Sequence, residues 1–196
     1  MHHEGTEMIH TKRLVLRPFS LDDAEQAYAN WLSDPVVAHM AGWAPHKDMD
    51  SARAFIADVT AAYQSPTVLR WGITLDGNVI GDISVTKWNE RHESCELGYA
   101  LSQKWWGRGL MPEALCAVTR YLFDTVGFHR IALRRHADNV RSGRVMTKTG
   151  YLLEGCQKDA RKNADGTFTD LLLYAAINGE WQDTQKKAIN QNKTEL

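Results

Sequence analysis

The residues with a spacing suited to chemistry lie between Glu96 and Phe123, in the stretch ELGYALSQKWWGRGLMPEALCAVTRYLF. Leu97, Tyr99 and Leu101 alternate as in a strand. Gly107 and Gly109 mark a short loop, and Leu115, Val118 and Leu122 recur as in a helix. Pro112 suits the first turn of that helix, where its missing N–H has no partner to lose. A glycine-rich turn that delivers a strand into a helix N-terminus is a phosphate site: the first N–H groups lack intrahelical acceptors, and the helix dipole favours negative charge. Glycine lets the ligand approach the main chain. The triphosphate loop G-x-x-x-x-G-K-[ST] is excluded, because no Lys-Ser or Lys-Thr follows these glycines. The dinucleotide pattern G-x-G-x-x-G also fails, at Pro112. A turn with two glycines also occurs without any ligand, so the rest of the chain has to corroborate the reading.

The elements that position this stretch follow from periodicity. Residues 11–19 (TKRLVLRPF) predict a half-buried strand, and Ser20 with Asp22 and Asp23 opens a helix reaching about Leu32, stopped by Ser33, Asp34 and Pro35. The segment from Val36 to Asp50 has no clear period and reads as a loop or broken helix. Asp50 to Tyr63 predicts a second helix. Val68 to Leu75, the turn Asp76-Gly77 and Val79 to Trp88 predict a tight hairpin, and Glu93 to Leu101 a third strand. Gly127 should stop the long helix. His129 to His136 follows as a strand, Asn139 to Thr149 as a helix ended by Gly150, and Tyr151 to Lys158 and Thr167 to Ile177 as the last two strands around Asp165-Gly166. The expectation is an α/β chain: a mixed sheet with helices on both faces.

Composition narrows the function classes. A chain of 196 residues, 43% hydrophobic and 24% charged, can bury a full core in one domain. A formal net charge of -1 gives no whole-surface attraction for nucleic acid or anionic membrane. Three cysteines, Cys95, Cys116 and Cys156, outside any C-x-x-C arrangement, suggest free thiols and a cytoplasmic location. No run approaches the roughly 20 apolar residues of a membrane span, and Met1 to Glu7 is polar, without a signal-peptide core. The eight histidines are scattered, with none paired to a carboxylate or Cys at ligand spacing, so no metal is indicated.

The loop x-x-x-G-x-G opening a helix resembles the pyrophosphate loop of the GNAT superfamily of N-acetyltransferases, with Lys104 where that family usually has Gln or Arg. The order of elements is similar to the GNAT fold from Thr11 to Trp181. Within the superfamily the chain looks most like the RimJ/RimL branch, the ribosomal-protein-alanine N-acetyltransferases. Thr11, Arg13, Leu14, Leu16 and Arg17 match its opening T-x-R-L-x-L-R, and Glu96, Gly98 and Tyr99 match E-[IL]-G-Y. Asn139, Ser142, Lys148, Gly150 and Tyr151 match N-x-x-S with K-x-G-[FY]; Gly155, Asp170, Tyr174 and Trp181 match the closing positions. On this resemblance residues 1–10 are an extension and residues 11–181 one N-acetyltransferase domain; residues 182–196, polar and nearly free of apolar residues, read as a frayed or disordered tail.

The resemblance implies transfer of the acetyl group of acetyl-coenzyme A to an amine, either a protein N-terminal α-amine or a small-molecule amine, by direct attack in a ternary complex. A thioester is already activated, so the protein must orient both substrates, remove a proton and stabilise developing charge. It implies that the pantetheine arm pairs along the strand at Leu101 and that the pyrophosphate lies on Lys104, Trp105, Trp106, Gly107, Arg108, Gly109, Leu110 and Met111. Asn139 would bind the pantetheine amide, and Ser142 would protonate the departing thiolate. Glu96 is the candidate base; its bland alternative is a pair with Arg134 or Arg135. Asn139 and Ser142 equally suit ordinary helix capping. Asp170 either orders the acceptor side or makes a structural hydrogen bond, and Trp43 and Trp88 either wall the acceptor pocket or pack in the core. The family's homodimers make a dimer compatible with the resemblance. A non-catalytic acetyl-coenzyme A sensor is the competing reading, and the presence of both Glu96 and Ser142 counts against it.

Overall fold

The computed structural model describes residues 1–2, 4–163 and 165–185. Eight strands form one sheet in the order β1-β2-β3-β4-β5-β6-β8-β7. They are β1 (Ile9–His10), β2 (Val15–Arg17), β3 (Arg70–Leu75), β4 (Asn78–Asn89), β5 (Ser94–Leu101), β6 (Arg130–His136), β7 (Leu152–Lys162) and β8 (Phe168–Ile177). Every neighbouring pair is antiparallel except β5 and β6. The helices are α1 (Ala24–Ala27), α2 (Pro35–Ala41), α3 (Met49–Ala62), α4 (Leu110–Tyr121) and α5 (Val140–Lys148). A 3-10 turn at Leu21–Asp23 and a π turn at Tyr28–Leu32 extend α1 on either side, and a π turn at Leu122–Val126 prolongs α4.

The sheet separates two buried clusters. On one face Leu97, Leu101, Leu110, Leu115, Val118, Leu122, Phe128, Ile131 and Leu133 join α4 to the central strands. On the other, Phe19, Ala27, Trp31, Val37, Ile56 and Ala100 seat α1, α2 and α3. The parallel contact between β5 and β6 requires a crossover, which α4 supplies across the first face. No helix among the described residues is long and apolar enough to cross a membrane.

Most expected elements are present. Asp76 and Gly77 both take positive φ, as a tight hairpin turn requires; Gly127 caps the α4 segment in the left-handed region, and Asn139 precedes α5. Three expectations are corrected. Residues 11–19 do not form one strand: a turn in which Thr11 N–H donates to the Leu14 carbonyl folds β1 back on β2. The Asp-Pro pair that ends the first helix also starts another. Asp34 Oδ1 accepts from the Val36 and Val37 N–H groups at 2.8 and 3.2 Å, with Pro35 in the first turn, so α2 stands where a loop or broken helix was expected. Residues 178–185 are helical, so 182–185 do not belong to a frayed tail; residues 186–196 lie outside the described residues. The N-terminal stretch, which carries no signal of its own, is stitched to the sheet: Thr6 Oγ1 donates to Val68 O and Trp71 Nε1 to Glu7 O.

Candidate active site

The site begins where β5 and β6 part. Their register runs from Ser94 opposite Arg130 to Leu97 opposite Leu133 and ends there, although β5 continues to Leu101 and β6 to His136. Beyond the fork β5 pairs only with β4, and β6 only with β8. Each strand therefore presents a main-chain edge to the gap, and an unpaired edge accepts an extended ligand as an added strand. A bulge at Thr86 of β4 lies opposite Glu96 and Leu97 and bends the sheet at this level. The resulting cleft has a volume of about 1020 Å³. It runs from Val37 and Met40 of α2, past Tyr99, Leu101, Asn139 and Ser142, to Trp105, Trp106 and the glycine loop.

The loop has the local geometry its glycines predict. Gly107 and Gly109 have φ of +77° and +73°, a region that costs a side-chain-bearing residue strain. Gly109 is the N-cap of α4, so the Leu110 and Met111 N–H groups stand in its first turn without intrahelical acceptors. Trp106 Nε1 donates to Leu101 O at 2.7 Å and folds the loop over the end of β5. The side chains of Lys104 and Arg108 lie over the Trp105 ring, at 5.3 and 4.7 Å from its centroid. Neither is among the residues lining the cleft, whereas Leu101, Trp105, Trp106, Gly107, Gly109, Leu110 and Met111 are. The opening motif explains how the loop is held. Glu113, one turn into α4, accepts from Thr11 Oγ1 at 2.7 Å, Arg13 N at 2.8 Å and Arg13 Nε at 2.7 Å. Arg13 also donates to the Arg108 carbonyl at 2.9 Å. Burial pulls the Glu113 carboxyl up, but its bonds from Thr11 and Arg13 outweigh that and leave it below the ordinary value.

Glu96 and Tyr99 point to opposite faces of β5, as their spacing requires. The Glu96 carboxylate receives Arg134 through Nε at 2.9 Å and through a second guanidinium N–H, and Lys87 Nζ lies 3.3 Å away. All of these contacts fall on Oε2, and Glu96 is among the residues lining the cleft. The ion pair expected as the bland alternative is therefore formed, and it occupies one oxygen. On the other face the Tyr99 phenol shares a 2.8 Å hydrogen bond with Ser142 Oγ. Burial pushes the phenol well above its ordinary value, so it keeps its proton. Asn139 caps α5, its Oδ1 accepting from Ser142 N at 3.1 Å, while its side chain still lines the cleft.

Other expected residues settle elsewhere. Asp170 accepts from Lys158 Nζ at 2.6 Å and Asp159 N at 3.0 Å and so pins a bulge of β7, and it is not among the residues lining the cleft. Neither Trp43 nor Trp88 lines the cleft; Trp88 packs edge-on against Phe128, with centroids 4.7 Å apart. Burial raises the Cys95 thiol far above its ordinary value, which makes it a packing residue. Sequence reasoning missed the pairing of Tyr99 with Ser142, the clamp of Thr11 and Arg13 on Glu113, and a meeting of His39, His136 and Asp138. The first two had a signal, since those residues belong to motifs already singled out. The third had none, because His39 lies nearly a hundred residues before the other two.

Residues 13–152 match the family model described as "Acetyltransferase (GNAT) domain". The chain is similar to the Bacillus subtilis (strain 168) protein named "Uncharacterized N-acetyltransferase YoaA", at 28% identity over 172 residues, which are 87% of this chain and 96% of that one. It is 41% identical over 88 residues to the "[Ribosomal protein uS5]-alanine N-acetyltransferase" of Escherichia coli (strain K12), a match covering 45% of each chain. Among solved structures, one described as "RimL- Ribosomal L7/L12 alpha-N-protein acetyltransferase in complex with Coenzyme A" superposes with a TM-score of 0.80 at 21% identity. That match covers 89% of this chain and 99% of the other, and it is a likeness of fold.

Proposed function

The chain belongs to the GNAT acetyltransferase family and is an acetyl-coenzyme A-dependent acyltransferase; from that premise we propose that it acetylates a primary amine by direct attack in a ternary complex, within one domain spanning residues 11–181. The observation that carries the reading is the parting of β5 from β6 after Leu97 and Leu133, in line with a glycine loop at the N-terminus of α4. The gap offers main-chain edges to the two amides of a pantetheine arm. The loop offers the Leu110 and Met111 N–H groups to a pyrophosphate. Arg141, whose guanidinium stacks on Trp106 at 5.0 Å, joins Arg144 and Lys148 in bringing positive charge to the same end of the cleft. The remaining loop positions, Lys104, Trp105, Gly107 and Arg108, shape and charge this end, and Asn139 faces the pantetheine from its cap.

Glu96 takes the amine's proton through Oε1, directly or through one water, while Arg134 and Lys87 hold Oε2 and fix the carboxylate's orientation. Ser142 acts on the opposite face of β5. A serine hydroxyl is a poor acid alone; the Tyr99 phenol, which keeps its proton, donates a hydrogen bond to its Oγ and makes Ser142 a stronger donor to the departing thiolate. Placing base and acid on opposite faces of one strand sets them on either side of the reacting thioester.

The relatives named for ribosomal-protein alanine or serine acetylation favour a protein N-terminal α-amine as acceptor, with small amines as the second class. Three free cysteines favour the reducing cytoplasm. The first experiment is calorimetric titration of acetyl-coenzyme A into the wild type and Gly109→Val, followed by an acceptor screen with N-terminal peptides and polyamines. Binding that the folded variant loses supports the cofactor site. No binding by the folded wild type overturns the reading, and binding without turnover on any acceptor returns the chain to a sensor.

A further inference from the structure

Three side chains of ligand type, from three separate places in the chain, meet beside the cleft, whose lining includes His136 and Asp138. His39 lies on α2, His136 ends β6, and Asp138 sits in the turn before α5. One donor atom from each falls within 4.8 Å of the others. His39 Nε2 is 3.7 Å from Asp138 Oδ2, and His136 Nδ1 is 4.0 Å from Asp138 Oδ1. A tetrahedral ion bound at about 2.0–2.2 Å holds its ligand atoms roughly 3.4 Å apart. Small χ rotations close the difference, and His39 and Asp138, both about half exposed, are free to make them.

A second observation points to a ligand. His136 is 3% exposed, yet neither ring nitrogen has a hydrogen-bond partner. Buried polar atoms are almost always paired, and leaving one unsatisfied is costly. Two imidazoles and one carboxylate suit a first-row divalent ion; the oxygen-rich sets of magnesium and calcium are absent here.

We propose that His39, His136 and Asp138 form a binding site for a zinc-class divalent ion, with its fourth coordination position open beside the cleft. Arg161 lies close by, near enough that a Cβ on Gly42 would overlap its guanidinium, and its charge opposes a cation. Affinity is therefore below that of a structural zinc site. The ion would stand on the face of the sheet that carries Glu96 and α2, where it repels an ammonium acceptor. The site does not depend on the acetyl-transfer reading, and either can fail alone.

The test is titration of the full chain with cobalt(II) as a visible stand-in for zinc, and with zinc alone by calorimetry. One ion per chain is expected, with the intense visible absorption of low-coordinate cobalt and its displacement by zinc. His39→Ala and Asp138→Asn change exposed side chains, so both should keep the wild-type melting temperature and weaken cobalt binding at least tenfold. No cobalt absorption in the wild type overturns the proposal. Folded variants that bind as the wild type does would overturn it too, by moving the ion elsewhere.

Discussion

At the residue scale the division of the Glu96 carboxylate matters most. A carboxylate wholly consumed by an arginine would be structural, but here Arg134 and Lys87 share one oxygen of a residue that lines the cleft. Glu96→Gln should lower kcat about 10²- to 10³-fold, in the range of a lost general base, and leave the acetyl-coenzyme A Kd within about twofold. Steady-state kinetics with calorimetry separates the two. Full activity in that variant would move the base elsewhere. The Tyr99 and Ser142 hydroxyls make a paired prediction. Tyr99→Phe and Ser142→Ala each slow the chemical step, and the double variant is no slower than the worse single one, because both act through one 2.8 Å bond. A loss of melting temperature without a rate effect would return Ser142 to its place in the Asn139 cap.

At the element scale, two small devices hold the cleft's walls. Arg13 and Thr11 come from the turn between β1 and β2 and grip Glu113 and the Arg108 carbonyl, so residues near the N-terminus order the glycine loop nearly a hundred positions away. Arg13→Ala should raise the acetyl-coenzyme A Kd about tenfold, or about 1.4 kcal/mol, with kcat at saturation kept. Asp34 caps α2 and, through Oδ2, accepts from Gln103 Nε2 at 2.7 Å, joining the helix over the cleft to the start of the loop. Asp34→Ala should cost about 1–2 kcal/mol, as a lost N-cap does, read as a denaturant midpoint shift. In the sequence this Asp-Pro pair reads as the end of one helix, with only a loop or broken helix after it, whereas α2 begins at Pro35. A capping carboxylate followed by proline is a start signal whenever any apolar face follows, and Val37 and Ala38 are that face.

At the scale of the whole molecule, stability reports both ligand and pH. Acetyl-coenzyme A at about 100 times its Kd adds about 2.7 kcal/mol, which for a chain of this length raises Tm by roughly 5–10 °C; differential scanning fluorimetry reads it. Burial raises the Asp23 carboxyl, but Arg17, at 2.7 and 2.8 Å, and the Ser20 N–H outweigh that and hold it below the ordinary value. A carboxylate depressed in the folded state stabilises above its unfolded value, and that contribution disappears as pH falls through the folded one. Asp23→Asn should therefore cost about 2 kcal/mol near pH 7, and the gap should narrow as pH drops below about 4. A gap that stays constant from pH 7 to pH 3 would remove the ion pair as its cause. By itself the sequence determined the local features: the strand–loop–helix at Gly107 and Gly109, the Asp76-Gly77 hairpin, the Gly127 stop, and the alternation that sets Glu96 and Tyr99 on opposite faces. These depend on φ preferences and periodicities that each residue imposes on its neighbours. Only the tertiary structure decided which distant groups meet: Arg134 with Glu96, Tyr99 with Ser142, Arg13 with Glu113, and His39 with His136 and Asp138. Those meetings follow from strand order and from the fork at Leu97, which are set by how two buried faces pack on one sheet.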